Sequence, residues 1–348
     1  MPTTTRVVIQ DRKDGPIELR EVTLPDPGPH DVLVAIEASG VCQSQLFWMH
    51  VDHPNPMLFG HEGYGTVVAL GADVTNVREG ERVMVTWIPR QGDRVPAPAS
   101  ISLTGGTTAI SPNVYTWAEH TLVDELYIVP LPPAVQQDVT SIVGCAVVTG
   151  AGAVCNSAPV NPGDTVAVFG VGGVGLSAVA GARIRGASQI VAVDLDANKL
   201  EFAKHFGATD TVNATTVSDP AAAIIELTGG VDVAVDCVGH QSTTGQALDC
   251  VRSGQVGGTH GGTAVLVGVP KEPMTLDLSS LFTGQKKLVG TTGGGCTQDD
   301  ITMFLDWYHR GLLDLNTLVT DRYPLESIEQ AVSDLATGKI LGRALVTI

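Results

Sequence analysis

Positive charge is scarce in this chain: 20 Lys and Arg stand against 37 Asp and Glu among 348 residues, a formal net charge of −17. Phosphate backbones and anionic lipid repel such a surface, which excludes nucleic acid and membrane faces as natural partners and leaves solubility as the ordinary reading. Long apolar runs are missing as well. No segment is long enough to span a bilayer, and the first residues, MPTTTRVVIQDRKDG, lack a signal peptide's apolar core, so a cytoplasmic location is expected. The six cysteines, at 42, 145, 155, 237, 250 and 296, include no CxxC pair. That scatter excludes a secreted disulfide framework and suits a reducing compartment, where a thiol is a core residue or a metal ligand. Charged residues make up only 16% and hydrophobic ones 43%, which excludes disorder; the length allows two domains, each with its own core.

What is present changes in texture along the chain. Up to about residue 145, short β runs such as 31–40, 65–71, 81–87 and 120–132 alternate with Gly/Pro turns, the pattern of a β-rich, barrel-like domain. From about 147, continuous apolar runs (165–170, 189–195, 210–213, 231–239, 263–269) alternate with helical stretches such as 176–187 and 197–208, the pattern of a doubly wound parallel sheet. Helical periodicity at 299–313 and 327–339 and a last strand at 343–348 form a tail expected to return to the first domain. The division predicted is 1–146 with 293–348, and 147–292.

Gly170, Gly172 and Gly175, with Gly173 and Val174 between them, form G-x-G-x-x-G directly after a predicted strand and before a predicted helix. The first glycine makes the turn, the second admits a pyrophosphate to the backbone, and the third lets the helix approach the strand. Free N–H groups at the helix N-terminus suit the anion. Asp194 ends the next predicted strand 19 residues beyond Gly175, where a carboxylate holds ribose hydroxyls. Leu195 and Asp196 follow it rather than an arginine, so a 2′-phosphate would meet repulsion and NAD is favoured over NADP.

Cys42 in SGVCQS, His61-Glu62 in FGHEGYG and Cys145 in VGCAVVTGAG are each compatible with a plain structural role, since buried free cysteines are common. Together, two thiolates and an imidazole make a catalytic zinc set with a fourth position open. The stretch Gly60-His61-Glu62-x-x-Gly65 followed by Gly71 and Val74, and the run 144–175, resemble the zinc-containing medium-chain alcohol dehydrogenases from end to end. The resemblance implies a GroES-like β-barrel catalytic domain plus a Rossmann domain, with Cys42, His61 and Cys145 on zinc and Glu62 able to join them transiently. It implies Ser44 as the hydroxyl taking the alcohol proton and Thr149 beside the nicotinamide. Lys199 and Arg343 would meet the adenosine ribose and the pyrophosphate, and Val238, Val267 and Val269 would line the cofactor groove. Trp87 would stand beside the substrate, with Phe47 and Trp48 following the first ligand. An aromatic, apolar lining favours hydrophobic or aromatic alcohols.

The sequence departs from that family in three places. Residues 88–112 hold no cysteine where many members carry four on a structural zinc, so one catalytic zinc per chain is expected. Gln45 replaces an aspartate that orients the metal-binding histidine; its amide oxygen is expected to accept from His61 as a weaker, uncharged partner. Phe47 stands where some members place a relay histidine, and Gln43 replaces an often basic residue; His50 and His53 are candidate substitutes. The function expected is NAD-dependent oxidation of a primary or secondary alcohol, reversible to aldehyde or ketone, by a homodimer or homotetramer. The alternatives are a carbonyl or ene reductase of the same fold using NAD(P)H, and a catalytically silent NAD-binding protein.

Overall fold

The structure, a computed structural model, describes residues 2–348. It divides into two compact units: residues through Cys145 with Thr297–Gly311 and Leu315–Ile348, and Ala146–Cys296 with Leu312–Asp314.

The first unit is built on the strand Asp31–Val41, an 11-residue run rich in β-branched and small residues. It pairs antiparallel with Glu62–Leu70 and, on its other edge, with His120–Asp124 and then the C-terminal strand Arg343–Thr347. Two register irregularities, at Leu33/Val34 and Ile36/Ala38, bend the strand as bulges do. Arg82–Thr86, Ile128–Pro130 and Val319–Pro324 complete this sheet. A second sheet runs Ile17–Leu24, Thr3–Gln10, Met57–Leu58, Thr108–Ile110, Ser100–Ser102. Val7, Ile9 and Ile101 of one sheet and Val32, Val34, Val83 and Val85 of the other share a single core. Ala344, Leu345 and Val346 are fully buried, so the distant tail is fixed by apolar burial as much as by strand pairing.

The second unit is a six-stranded parallel sheet ordered Asp210–Asn213, Gln189–Asp194, Thr165–Phe169, Val233–Asp236, Thr263–Leu266, Lys287–Gly290. In chain order this is 3-2-1-4-5-6, the Rossmann arrangement, whose ligand crevice lies where the order reverses, at the carboxyl ends of Thr165–Phe169 and Val233–Asp236. The inner strands are runs of Val, Ala and Ile because both faces are covered. Helices Gly173–Ile184, Ala197–Phe206, Pro220–Thr228 and Gln241–Cys250 alternate with them. Asp196 and Asp219 cap two of these helices by accepting from Asn198 N–H (2.8 Å) and Ala222 N–H (3.0 Å). The sixth strand, Lys287–Gly290, was not visible in the sequence: its apolar part is too short to show a period. Among the described residues no single helix is long and apolar enough to cross a membrane.

Candidate active site and metal centre

Four donor groups converge in the first unit from three places in the chain. Cys42 ends the long central strand and precedes the helix Gln43–Met49; His61 precedes the strand Glu62–Leu70; Cys145 follows the short helix Asp138–Gly144. Thr86 Oγ1 donates to Gly144 O at 2.8 Å, which ties the Cys145 turn to the sheet. One ligand atom each from Cys42, His61, Glu62 and Cys145 lies within 4.8 Å of all the others, and all but the partly buried His61 are buried. The sulfurs of Cys42 and Cys145 are 3.7 Å apart, and His61 Nε2 is 3.1 Å from Cys145 Sγ. A disulfide needs about 2 Å. A tetrahedral zinc with bonds of about 2.0–2.3 Å separates its ligands by roughly 3.3–3.8 Å; the sulfur pair has that spacing, His61 Nε2 lies slightly closer, and the donor set matches that ion in chemistry.

The charges around the cluster are coupled. The neighbouring Cys145 sulfur, then Arg343 and His61, hold the Cys42 thiol well below its usual range against the cost of burial. Cys145 is pushed well above its range, because giving up its own proton would set a second anion beside Cys42. Glu62 is fully buried and receives a hydrogen bond from the Arg343 guanidinium, itself 4% exposed. Burial pushes the Glu62 carboxyl upward while Arg343 pulls it back. This buried pair was not foreseen; the sequence suggested a pyrophosphate contact for Arg343, and the structure puts its side chain on Glu62. Arg343 Nε has no hydrogen-bond partner among the described residues.

Ser44 Oγ donates to Cys42 Sγ at 3.2 Å, which places the expected proton-handling hydroxyl against a ligand sulfur. Gln45 corrects an expectation. Its oxygen does not accept from His61; it accepts from Gly60 N–H at 2.7 Å, and Nε2 faces His61 Nδ1 at 2.5 Å. The Trp87 ring stands 6.5 Å from that of His61, edge to face, and its buried Nε1 has no hydrogen-bond partner among the described residues. Phe47 and Trp48 meet edge to face at 5.5 Å, and Trp48 also lies against the core of Met49, Leu325 and Ile328, so it has a structural occupation. His50 is exposed and bonded to Asp14; His53 Nδ1 is bonded to Asn55 O.

The glycine turn lies in the second unit at the sheet's reversal point. Gly170 has φ +80°, a left-handed value costly for other residues, and a Cβ on Gly175 would lie 1.9 Å from Gly170 O. A Cβ on Gly172 would meet nothing within 4 Å. That open side lies at the start of the helix Gly173–Ile184, whose second residue is Val174, where free backbone N–H groups could receive an anion. Asp194 staples the neighbouring turns, accepting from Val171 N–H (2.9 Å), Leu195 N–H (2.8 Å) and Asp196 N–H (3.1 Å). Val238 and Val269 are 46% and 44% exposed, which fits groove walls better than core; Val267 is half-buried. Sequence reasoning missed Asp236, fully buried, which accepts from Val238 and Gly239 N–H and from Thr244 Oγ1 and so fixes the Val238 loop. Lys199 is half-buried in the first turn of Ala197–Phe206, and Thr149 is half-buried in the helix Ala146–Gly152.

Comparison with known proteins bears on both units. Residues 28–133 match the alcohol dehydrogenase GroES-like domain, and residues 173–310 match the zinc-binding dehydrogenase family. An S-(hydroxymethyl)glutathione dehydrogenase of Synechocystis is 33% identical, covering 93% of this chain and 94% of that protein. The chain belongs to the zinc-containing medium-chain alcohol dehydrogenases. Among solved structures, an alcohol dehydrogenase zinc-binding domain protein from Burkholderia ambifaria superposes with a TM-score of 0.88 at 27% identity over all of both chains. The benzyl alcohol dehydrogenase of Acinetobacter calcoaceticus does so at 0.85 and 27%, over 99% of both. As a member of this family the chain is an oxidoreductase using zinc and a nicotinamide cofactor, and its GroES-like and Rossmann folds are those expected from the sequence.

Proposed function

We propose that this alcohol dehydrogenase oxidises a hydrophobic or aromatic primary or secondary alcohol with NAD, reversibly, using a single zinc held by Cys42, His61 and Cys145. The observation that carries the proposal is the convergence of those three donors and Glu62 within 4.8 Å, with Ser44 Oγ beside Cys42 Sγ. When bound, the ion supplies Lewis acidity that favours the ionised alcohol, and the dinucleotide supplies the hydride acceptor.

The chain's own residues account for the rest. The two sulfurs and the imidazole hold the cation, and Glu62, kept close by Arg343, is the reserve donor. Ser44 Oγ would receive the alcohol proton while giving up its own hydroxyl proton to solvent water, so that it carries no net charge itself. Trp87 walls the substrate side beside His61, with Phe47 further along, which supports apolar or aromatic substrates. Gly170, Gly172, Gly173, Val174 and Gly175 cradle the pyrophosphate, Asp194 takes the adenosine ribose, and Val238, Val267 and Val269 line the groove, with Lys199, Thr149 and Arg343 as further contacts. Asp194, already accepting three backbone N–H groups, presents a carboxylate that repels a 2′-phosphate and so supports NAD over NADP. Residues 1–146 with 293–348 form the catalytic domain and 147–292 the cofactor domain, in a cytoplasmic homodimer or homotetramer.

The test is a substrate panel of aromatic, aliphatic and polar alcohols followed by NADH absorbance, repeated with NADP. The expected result is highest kcat/KM for aromatic alcohols, with NAD preferred. Equal rates with NADP, or a preference for polyols, contradict the assignment.

A further inference from the structure

Gln45 is 5% exposed, so its polar atoms are satisfied by protein or not at all. Gly60 N–H, 2.7 Å from Oε1, is a backbone donor that accepts nothing. Turning the amide over would set an NH2 group against that N–H, so the oxygen stays on Gly60 and Nε2 is left facing His61 Nδ1 at 2.5 Å. Opposite a donor, Nδ1 must accept. The ring proton then sits on Nε2, which lies 3.1 Å from Cys145 Sγ inside the donor cluster.

A neutral imidazole binds a metal through the nitrogen that lacks the proton, while the other nitrogen donates to a supporting acceptor. In this site the nitrogen within the cluster is Nε2, so the metal-ready tautomer carries its proton on Nδ1, donor to donor with the Gln45 NH2. A carboxylate at position 45 would accept from Gly60 and His61 together. The amide serves one of them only.

We propose that Gln45 is a positioning residue that opposes metal capture: its amide holds His61 in the tautomer with the proton on Nε2, so zinc is bound more weakly and exchanges faster than it would with a carboxylate there. The proposal rests on the assignment of Cys42, His61 and Cys145 as zinc ligands.

Two substitutions and two readouts independent of turnover test it. Gln45→Glu is nearly isosteric and supplies two acceptors; Gln45→Leu removes the facing NH2 without adding charge. Zinc affinity is measured by titrating the zinc-loaded proteins with a chromophoric chelator, and the His61 Nδ1–H is followed by 15N-edited NMR of the metal-free proteins. The expected result is zinc held at least about tenfold tighter in Gln45→Glu and no more weakly in Gln45→Leu than in the wild type. A slowly exchanging Nδ1–H should appear in Gln45→Glu and not in the wild type. Wild type and Gln45→Glu within twofold of each other overturn the proposal. So does Gln45→Leu binding weaker than a wild type that already shows the slow Nδ1–H. Should Gln45→Leu fail to fold, the comparison of wild type with Gln45→Glu decides by itself. A wild type that binds no zinc refutes the ligand assignment instead.

Discussion

Replacing Gly172 by alanine separates a glycine kept for a ligand from one kept for the fold. The backbone at Gly172 has φ −77° and ψ −166°, open to any residue, and a methyl group there meets nothing within 4 Å. Stiffening the unfolded chain favours the folded state by about 0.4–1 kcal/mol. Losing glycine at the helix N-cap position costs roughly as much in the other direction. The net change is therefore within about 1 kcal/mol of zero, a melting shift of no more than about 4 °C for units of this size. Gly175→Ala is the contrast. Its methyl would lie 1.9 Å from Gly170 O, a backbone atom that no rotamer change can move, so a loss of about 3 kcal/mol or more is expected. Calorimetry without cofactor reads the first effect, and fluorescence titration with NADH reads the second. Gly172→Ala should melt like the wild type yet bind NADH at least about tenfold more weakly, about 1.4 kcal/mol, because the methyl occupies the pyrophosphate's side of the turn. Undiminished affinity in Gly172→Ala would refute the placement of the pyrophosphate, and a melting loss equal to that of Gly175→Ala would refute the steric argument.

Arg343→Met leaves the Glu62 carboxylate buried without its cation and should cost about 3–5 kcal/mol in chemical denaturation, most of it recovered in Arg343→Met with Glu62→Gln; a loss under about 1 kcal/mol contradicts the ion pair. Ser44→Ala should lower kcat by about 100-fold or more with zinc content unchanged, as steady-state kinetics and metal analysis will show. Asp232 accepts from Thr165 N–H (2.9 Å), Thr165 Oγ1 (3.0 Å) and Arg252 Nε (2.5 Å); burial raises its carboxyl, and these bonds more than reverse that, leaving it lowered. A lowered folded value means its contribution is present above the unfolded aspartate value of about 3.9 and fades as pH falls through the folded one, so Asp232→Asn should destabilise at pH 7 and converge on wild type in acid melts.

The legible parts of this protein are the local ones. The glycine turn could be read because strand, turn and helix follow one another within a dozen residues, and each glycine's need is local. Cys42 and Cys145 are 103 residues apart, so their side-chain contact is a property of the sheet register, and only the resemblance to a family brought them together beforehand. Gln45 was misjudged because the direction of the Gly60 N–H is set by the folded backbone and leaves no trace in composition or spacing. The Arg343–Glu62 pair has no local signal either, since it depends on the strand register that pairs Ala344 with Val41. Trp48 packs against the core of Met49, Leu325 and Ile328, a contact made across elements distant in sequence and so not legible from its place beside Cys42.

The most direct test of the zinc site is the metal content of the purified chain measured alongside alcohol-dependent NADH formation, before and after chelation and with zinc restored. One zinc per chain, with activity lost on chelation and regained with zinc but absent in Cys42→Ser, is the result predicted here. Zinc near zero in a fully active protein, with activity that survives chelation, would contradict it.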